Sequence, residues 1–559
     1  MLPLGHRGCD RQVLPPAIVP AHCPEKREWS PSQVVRLSLK WAERTGLRLA
    51  LWEAFKQATG RPRILNPMAA LMCLYAYSLT RRDKFILLDV PRWVRDNLTN
   101  VQRTALGLTE DLTYNQLLST LNALCEMLWP QDYMPKVYYL KGAKKGKVKR
   151  LRRDWLGMDL SEFLTRLVSA AIPECLPPSK DLALDATDAE SWIKPSKWDP
   201  VKGEWVEANA DHGSKVGHRT STPKKPNEFY SGRAIHSIVD VADMGGVPRP
   251  CLCRAMSVGP ANATVYTMGL KAVDSYMKLY GQIVGVLISD EGYTQCAAEN
   301  WALELMKRLV TQCMDYKVNE GNHDYDQGKN AYYVEGNYYT SGTPEDLLKL
   351  RRPDSDKMTP EQVEELLTQR DERAHYRFTV STKMNPVTLT LRLKGPALTM
   401  RVRCVNNPAT LSIPYGDAPD TTCVLGEDCS CGKTITIGPE DHADERQQHP
   451  FGTHRQFASY SRRVAVEWWH AELHNIRGNL NNETFQTRTI NLTEILIGIY
   501  AAATNACIIR DYYITGHSDL RDEGEEAVLT VPPVPARRRK PRKIARHRLL
   551  KAVGLEPPG

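Results

Sequence analysis

The chain of 559 residues lacks any apolar run long enough to be read as a membrane span. Its first residues, MLPLGHRGCDRQ, lack the apolar segment of a secretory signal. The longest apolar stretch, 495-ILIGIYAAATNACII-509, falls short of a bilayer's thickness and contains Thr504 and Asn505. The expectation is a soluble intracellular protein with no membrane attachment. Cysteine is also sparse. Fourteen in so long a chain exclude a disulfide scaffold, and most are expected to be reduced thiols. No internal repeat is visible. The length suits three or four domains, or one core domain with large insertions.

Positive charge is abundant but local. The net charge is +9. Nine Lys and Arg stand against the single acid Glu556 from Arg537 to the end of the chain, so that segment carries nearly all of the net charge. Its core, 536-ARRRKPRKIARHRLLK-551, is a polycation. A second cluster, 141-KGAKKGKVKRLRR-153, places eight Lys or Arg in thirteen residues. Two such clusters suit a polyanion, with nucleic acid first. Each alone reads equally well as a solubilising segment.

Residues 1–29 have no periodicity and read as a loose arm. Helical patterns fill 30–140, opened by Ser30-Pro31-Ser32-Gln33 and again by Thr113-Tyr114-Asn115-Gln116. This region is expected to be an all-helical, DNA-binding domain, although no helix-turn-helix signature stands out. The basic linker 141–153 follows. Residues 154–314 then carry a helix (160–171) and four strand patterns, at 181–188, 233–243, 248–258 and 283–290. A helix over 262–281 ends in glycine between the last two strands. The run 283-IVGVLISD-290 is nearly all apolar, as in a strand buried on both faces. An α/β core is expected. Residues 315–455 read as a β-rich insertion with an exposed helix opened by Thr359. The core resumes over 456–515 with two helical patterns. A linker and the basic tail occupy 516–559.

Two strands carry a conspicuous acid. Asp185 interrupts LALDAT, and Asp290 ends VGVLIS. Each alone reads as readily as a turn or cap aspartate. In 460-YSRRVAVEWWHAELH-474, taken as one helix, Tyr460, Arg463 and Glu467 fall within about 60° on one face. His474 lands on the same stripe, and Val466 and Trp469 face the core. A solvated Arg–Glu pair is the plain reading of that stripe. Three acids, two on strands and one on a helix, are also what a site for two Mg²⁺ ions requires, with Mn²⁺ as a substitute.

In these residues the chain resembles the DDE transposases with a ribonuclease-H-like core, in the insertion-sequence group marked by a Tyr–Arg–Glu–Lys signature. The resemblance rests on 184-LDAT-187, 290-DEGY-293 and Tyr460, Arg463 and Glu467. It is supported by 232-GRAIHSIVD-240, 333-YVEGNYYTSGTP-344 and 451-FGTHRQFASYSRR-463. It spans about 180–512. It implies a ribonuclease-H-like mixed sheet, with Asp185, Asp290 and Glu467 as catalytic residues and ligands of two metal ions. It also implies Tyr460 and Arg463 gripping DNA near the cleaved phosphate. The signature's lysine is His474 here, whose charge near neutral pH is conditional. Asp181, Asp188 and Glu291 stand close to the two aspartates, and the resemblance selects Asp185 and Asp290.

The expected function is cut-and-paste transposition: metal-dependent nicking and strand transfer at the inverted-repeat ends of the element. The partners are double-stranded DNA, at those ends and at the target, and a second copy of the chain. The location is cytoplasmic, on the nucleoid. Arg537, Arg538, Arg539, Lys540, Arg542 and Lys543 are the expected tail contacts to DNA. Two rivals remain: a two-metal nuclease without strand transfer, and a decayed or domesticated DNA-binding protein without catalysis. Cys404, Cys423, Cys429 and Cys431 allow a four-sulfur zinc site, with His442 and His449 nearby. The Cys-x-Cys pair and the wide first spacing favour scattered core thiols instead.

Overall fold

The computed structural model of the protein describes residues 28–56, 65–81, 85–129, 136–138, 148–150, 156–193, 198–201, 204–205, 211, 213–219, 228–246, 249–315, 324–352 and 358–514. Residues 1–27 of the expected arm and most of the 141–153 cluster lie outside these. So does the whole tail, with Arg537, Arg538, Arg539, Lys540, Arg542 and Lys543.

The N-terminal helices are α1 (Pro31–Arg44), α2 (Arg48–Phe55), α3 (Pro67–Thr80), α4 (Asp89–Asn97), α5 (Asn100–Ala105) and α6 (Tyr114–Met127), with polar caps at all but α2 and α4. Ser30 and Thr113 close reciprocal capping boxes with Gln33 and Gln116, as their spacing predicts. Helix α3 is apolar on every side and buried along nearly all its length, which marks a core helix. It packs on α1, α6 and the late helix α15 (Leu492–Ile514). The N-terminal helices therefore share one core with residues between 156 and 313 and between 460 and 509. The Trp41 indole donates to the Leu167 carbonyl of α7 (Leu160–Ser169) at 2.8 Å.

A short hairpin, β1 (Lys136–Tyr138) with β2 (Val148–Arg150), precedes α7. The main sheet follows. It contains β3 (Leu182–Glu190), β6 (Lys215–Arg219), β7 (Glu228–Asp240), β8 (Cys253–Pro260), β9 (Val286–Ser289) and β10 (Thr311–Cys313). A small hairpin, β4 (Trp198–Asp199) with β5 (Glu204–Trp205), lies between β3 and β6. The order runs β10, β9, β3, β7, with β6 and β8 both on β7. Strands β3, β7 and β8 pair antiparallel, whereas β9 and β10 run parallel to β3. Helix α8 (Val265–Tyr280) makes the crossover from β8 to β9 and ends at Gly281 in the left-handed region, φ 61°. Short helices α9 (Glu291–Thr294) and α10 (Ala302–Lys307) connect β9 to β10. The four strand patterns of the sequence are present with shifted ends. Strands β6 and β10 are additions to that reading.

The insertion holds two three-stranded antiparallel sheets. One is β11 (Asp324–Asp326), β12 (Ala331–Val334) and β13 (Asn337–Thr340). The other is β14 (Thr379–Val380), β15 (Leu391–Lys394) and β16 (Thr434–Ile437). Between the sheets lie α11 (Glu345–Leu348) and α12 (Pro360–Ala374), the latter capped by Thr359. Residues 395–433 contain only short 3₁₀ turns and isolated β-bridges, so this region is richer in loop than its sequence pattern suggests.

The segment read as one helix over 460–474 is three pieces: α13 (His454–Ser461), α14 (Val464–Ala471) and a π turn (Glu472–Ile476). At the first junction the backbone tightens, with Arg463 N donating to Tyr460 O and Ala465 N to Arg462 O. Both arginines there turn to β3 or to the residue just before it. Arg462 Nη1 meets Asp181 Oδ2 at 2.9 Å, and Arg463 Nη1 meets Asp185 Oδ2 at 2.8 Å.

Helix α15 is long and apolar enough to cross a bilayer by composition alone, but its apolar window is wholly buried inside the protein. Its one buried amide ties four elements together. Asn505 Oδ1 accepts from Cys253 N and Trp469 Nε1, both at 3.1 Å. Its Nδ2 donates to Cys253 O at 2.8 Å and to Val168 O at 3.2 Å. Sheet, α7 and α14 are thereby fixed to one side chain. Asn505→Leu leaves four buried polar groups without this partner and is expected to cost about 3 kcal/mol in urea unfolding. A change within 0.5 kcal/mol (roughly the scatter of neutral substitutions) contradicts that role.

Candidate active site

The register of two parallel strands builds the site. Leu182, Ala183 and Leu184 of β3 pair with Leu287, Ile288 and Ser289 of β9. Ala183 and Ile288 both enter the core shared with α14 and α15, whereas Leu182, Leu184 and Leu287 enter the core beneath α8. Side chains alternate along a strand, so two residues further on Asp185 and Asp290 face α14 from adjacent strands. Asp290 is still extended there (φ −86°, ψ −179°) and also caps α9, accepting from Gly292 N at 3.0 Å.

Helix α14 brings the third acid. Ala465, Val466 and Trp469 are buried against the sheet, which leaves Glu467 at its rim with 36% of its side chain exposed. Arg463, one turn earlier, spans the gap. Its Nη1 lies 2.8 Å from Asp185 Oδ2 and its Nη2 lies 2.5 Å from Glu467 Oε1. The Arg–Glu pair of the opening pattern is therefore present, but it is half of a bridge to a strand aspartate. Asp185 and Glu467 share one guanidinium, and Asp290 stands on the strand end beside Asp185. They form a looser group than the four thiols Cys404, Cys423, Cys429 and Cys431, whose ligand atoms all lie within 4.8 Å of one another.

The neighbouring acids have other partners. Asp188 holds Arg219 Nε at 2.7 Å and the Tyr230 hydroxyl. Asp181 holds Arg462, and Glu291 bonds Gln295 at 2.8 Å on the surface. Beneath the aspartates the buried Tyr293 hydroxyl lies 2.8 Å from His236 Nδ1. Gly269 lets α8 approach that ring, since a Cβ there would stand 2.7 Å from Tyr293. Burial depresses His236 to about 4, so the imidazole is neutral at neutral pH. His236 is placed by its pairing with Ala186 of β3, and Tyr293 reaches it from α9.

Tyr460 is buried, and its ring lies 5.9 Å from the Arg463 guanidinium carbon. His474 lies on the π turn with both ring nitrogens occupied. Nδ1 is 2.8 Å from Leu480 O, and Nε2 is 3.1 Å from Thr187 Oγ1. With Nδ1 donating to the carbonyl, Nε2 accepts from the hydroxyl when the ring is neutral and donates to it when the ring is charged. Burial lowers the pKa, which favours the neutral ring. His474 is a link between the π turn and β3.

Burial, with the charge of Asp290 beside it, pushes Asp185 up to about 7 against the opposing pull of Arg463. Burial raises Asp290 as well. The unfolded chain loses the Asp185 proton near pH 4, so from about pH 4 to 7 the folded protein holds the extra proton and loses stability as pH rises. Asp185→Asn is therefore expected to stabilise the protein at pH 8 by about 1–3 kcal/mol and to flatten that fall. Denaturant titrations without added divalent metal read both effects. A variant less stable than its parent at pH 8 contradicts them.

Fold and site together define a mixed α/β protein in which a half-buried arginine bridges a strand aspartate and a helix glutamate, with a second aspartate alongside. No protein-family model matches the chain, and no curated protein does. Among solved structures it is similar to a piggyBac transposase, seen in the cryo-EM structure of its synaptic complex with hairpin DNA. The identity is 10%, over 95% of this chain and 87% of that one, with a TM-score of 0.29. At that identity and score the likeness carries no argument about this chain.

Proposed function

We propose that the protein is a DDE-type DNA transposase, with Asp185, Asp290 and Glu467 as its catalytic acids. The observation that carries this reading is the convergence just described. A parallel register sets two aspartates side by side, and α14 delivers a glutamate to the same guanidinium. The strand order β8, β7, β3, β9, β10, with β7 antiparallel to its neighbours and a helix crossing from β8 to β9, is the order expected of a ribonuclease-H-like core. The two basic clusters of the sequence supply a reason for phosphodiesters to be present.

The acids suit a pair of Mg²⁺ ions, with Mn²⁺ as a substitute. They are oxygen donors, they carry more negative charge than one arginine offsets, and burial makes added positive charge favourable. Such ions, when bound, activate a water or a 3′-hydroxyl and steady the leaving oxygen of a phosphodiester. The chain's own groups do the rest. Asp185 and Asp290 fix the site to the rigid sheet, and Glu467 closes it from the helix. Arg463, once released from the carboxylates, presents a fork suited to a phosphate of the DNA backbone, with Tyr460 beneath it. His474, occupied at both nitrogens, holds the π turn on β3 in place of gripping DNA. Element ends, target DNA and a second copy of the chain are the proposed partners.

The test is a cleavage and joining assay on DNA carrying the inverted repeats that flank the gene. With Mg²⁺, the protein is expected to nick those ends and join the freed 3′-hydroxyl to a second duplex. Asp185→Asn, Asp290→Asn and Glu467→Gln are each expected to lose about a thousandfold or more in nicking while still binding the ends. Nicking without joining assigns the protein to the nucleases. End binding without nicking under any divalent metal overturns catalysis altogether.

A further inference from the structure

We infer that Cys404, Cys423, Cys429 and Cys431 form a tetrathiolate zinc site that fastens the long loop of the insertion onto its first sheet. The four sulfurs come from separate points of the 395–433 loop, yet all lie within 4.8 Å of one another. Cys404 Sγ is 3.8 Å from Cys429 Sγ, and Cys423 Sγ is 3.6 Å from Cys431 Sγ. Zinc–sulfur bonds of about 2.3 Å in a tetrahedron set the edges at about 3.8 Å. A disulfide needs sulfurs about 2.05 Å apart.

The backbone around the sulfurs is shaped for them. Arg403 N donates to Pro419 O and Thr421 N to Arg403 O, each at 2.9 Å, which lays the Cys404 leg beside the Cys423 leg. Thr422 N reaches Gly342 O at 3.0 Å, tying that pair to the end of β13. Gly342 leaves the space the sulfurs occupy, because a Cβ there would stand 2.5 Å from Cys423 Sγ and 3.1 Å from Cys431 Sγ. The Asn407 amide lies 3.5 Å from Cys404 Sγ, an outer donor of the kind that steadies a bound thiolate.

Scattered core thiols do not explain this arrangement. Cys404 and Cys431 are fully buried, but Cys423 and Cys429 are partly exposed, and a sulfur acting as a small hydrophobe gains nothing from three others beside it. The core around them is small, built on residues such as Tyr339, Tyr376 and Val402. A loop of this length without strands gains order from such a staple. Four protein sulfurs fill a tetrahedral shell and leave no open position for substrate, so the site is structural. It involves no acid of the proposed active site, and the two readings stand or fall separately.

Metal analysis of the full-length protein, purified without chelator, tests the inference. Roughly one zinc per chain is expected, released when the thiols are titrated with a mercurial. Replacing zinc with Co²⁺ is expected to give the intense visible bands of tetrahedral sulfur ligation. Cys404→Ser and Cys429→Ser are expected to lose the metal, and Cys175→Ser, far from the cluster, to keep it. Should the serine variants fail to fold, the cobalt spectrum of the parent still decides. Zinc below a tenth of an equivalent with four free thiols overturns the site. So do two disulfides among these cysteines by mass spectrometry, or a cobalt spectrum without sulfur-to-metal bands.

Discussion

Like charges cannot be gathered inside a protein without a cation among them, and that constraint organises this molecule. Asp185, Asp290 and Glu467 come from a strand, a strand end and a helix, and Arg463 stands between the first and the last. Burial makes the two ionised aspartates costly, and it makes the guanidinium worth more than it would be in water. Burial and the neighbouring Asp290 push Asp185 up to about 7 despite its arginine. One arginine is too little charge for three acids.

The remainder of the fold holds those acids in place. Asn505 fixes α14 and α15 to β8, and Arg233 ties β7 to α15 through Glu494 at 2.6 Å and to Asp211 at 2.7 Å. Arg462 pins one end of the Glu467 segment to Asp181, just before β3, and His474 pins the other to Thr187 of β3. A site drawn from distant parts of the chain needs such anchors, because small displacements of a carboxylate would degrade the metal site proposed above. The tightened junction before α14 and the π turn after it belong to the same arrangement, since they rotate Arg462, Arg463 and His474 toward the strand.

Much of this was legible in the sequence where the signal is local. Capping boxes at Ser30, Thr113 and Thr359 announce their helices, and the apolar run before Asp290 announces a buried strand. Features set by distant partners were not legible. Strand β10 is three residues long and is defined by pairing with β9. The bonds that occupy His474 come from Thr187 and Leu480, so spacing alone gave it a free face. The four cysteines read poorly because spacing rules assume ligands on short knuckles. Here two legs of one loop bring them together.

The central claim is that these three acids share metal ions, and metal-directed backbone cleavage tests it most directly. Fe²⁺ bound in place of Mg²⁺, with ascorbate and peroxide, generates radicals that cut the chain within reach of the bound ion. The account predicts cuts clustered around residues 185, 290 and 467 together. Excess Mg²⁺ should suppress them, and Asp185→Asn should remove them. Cuts confined to other segments, or an unchanged pattern in that variant, would contradict it.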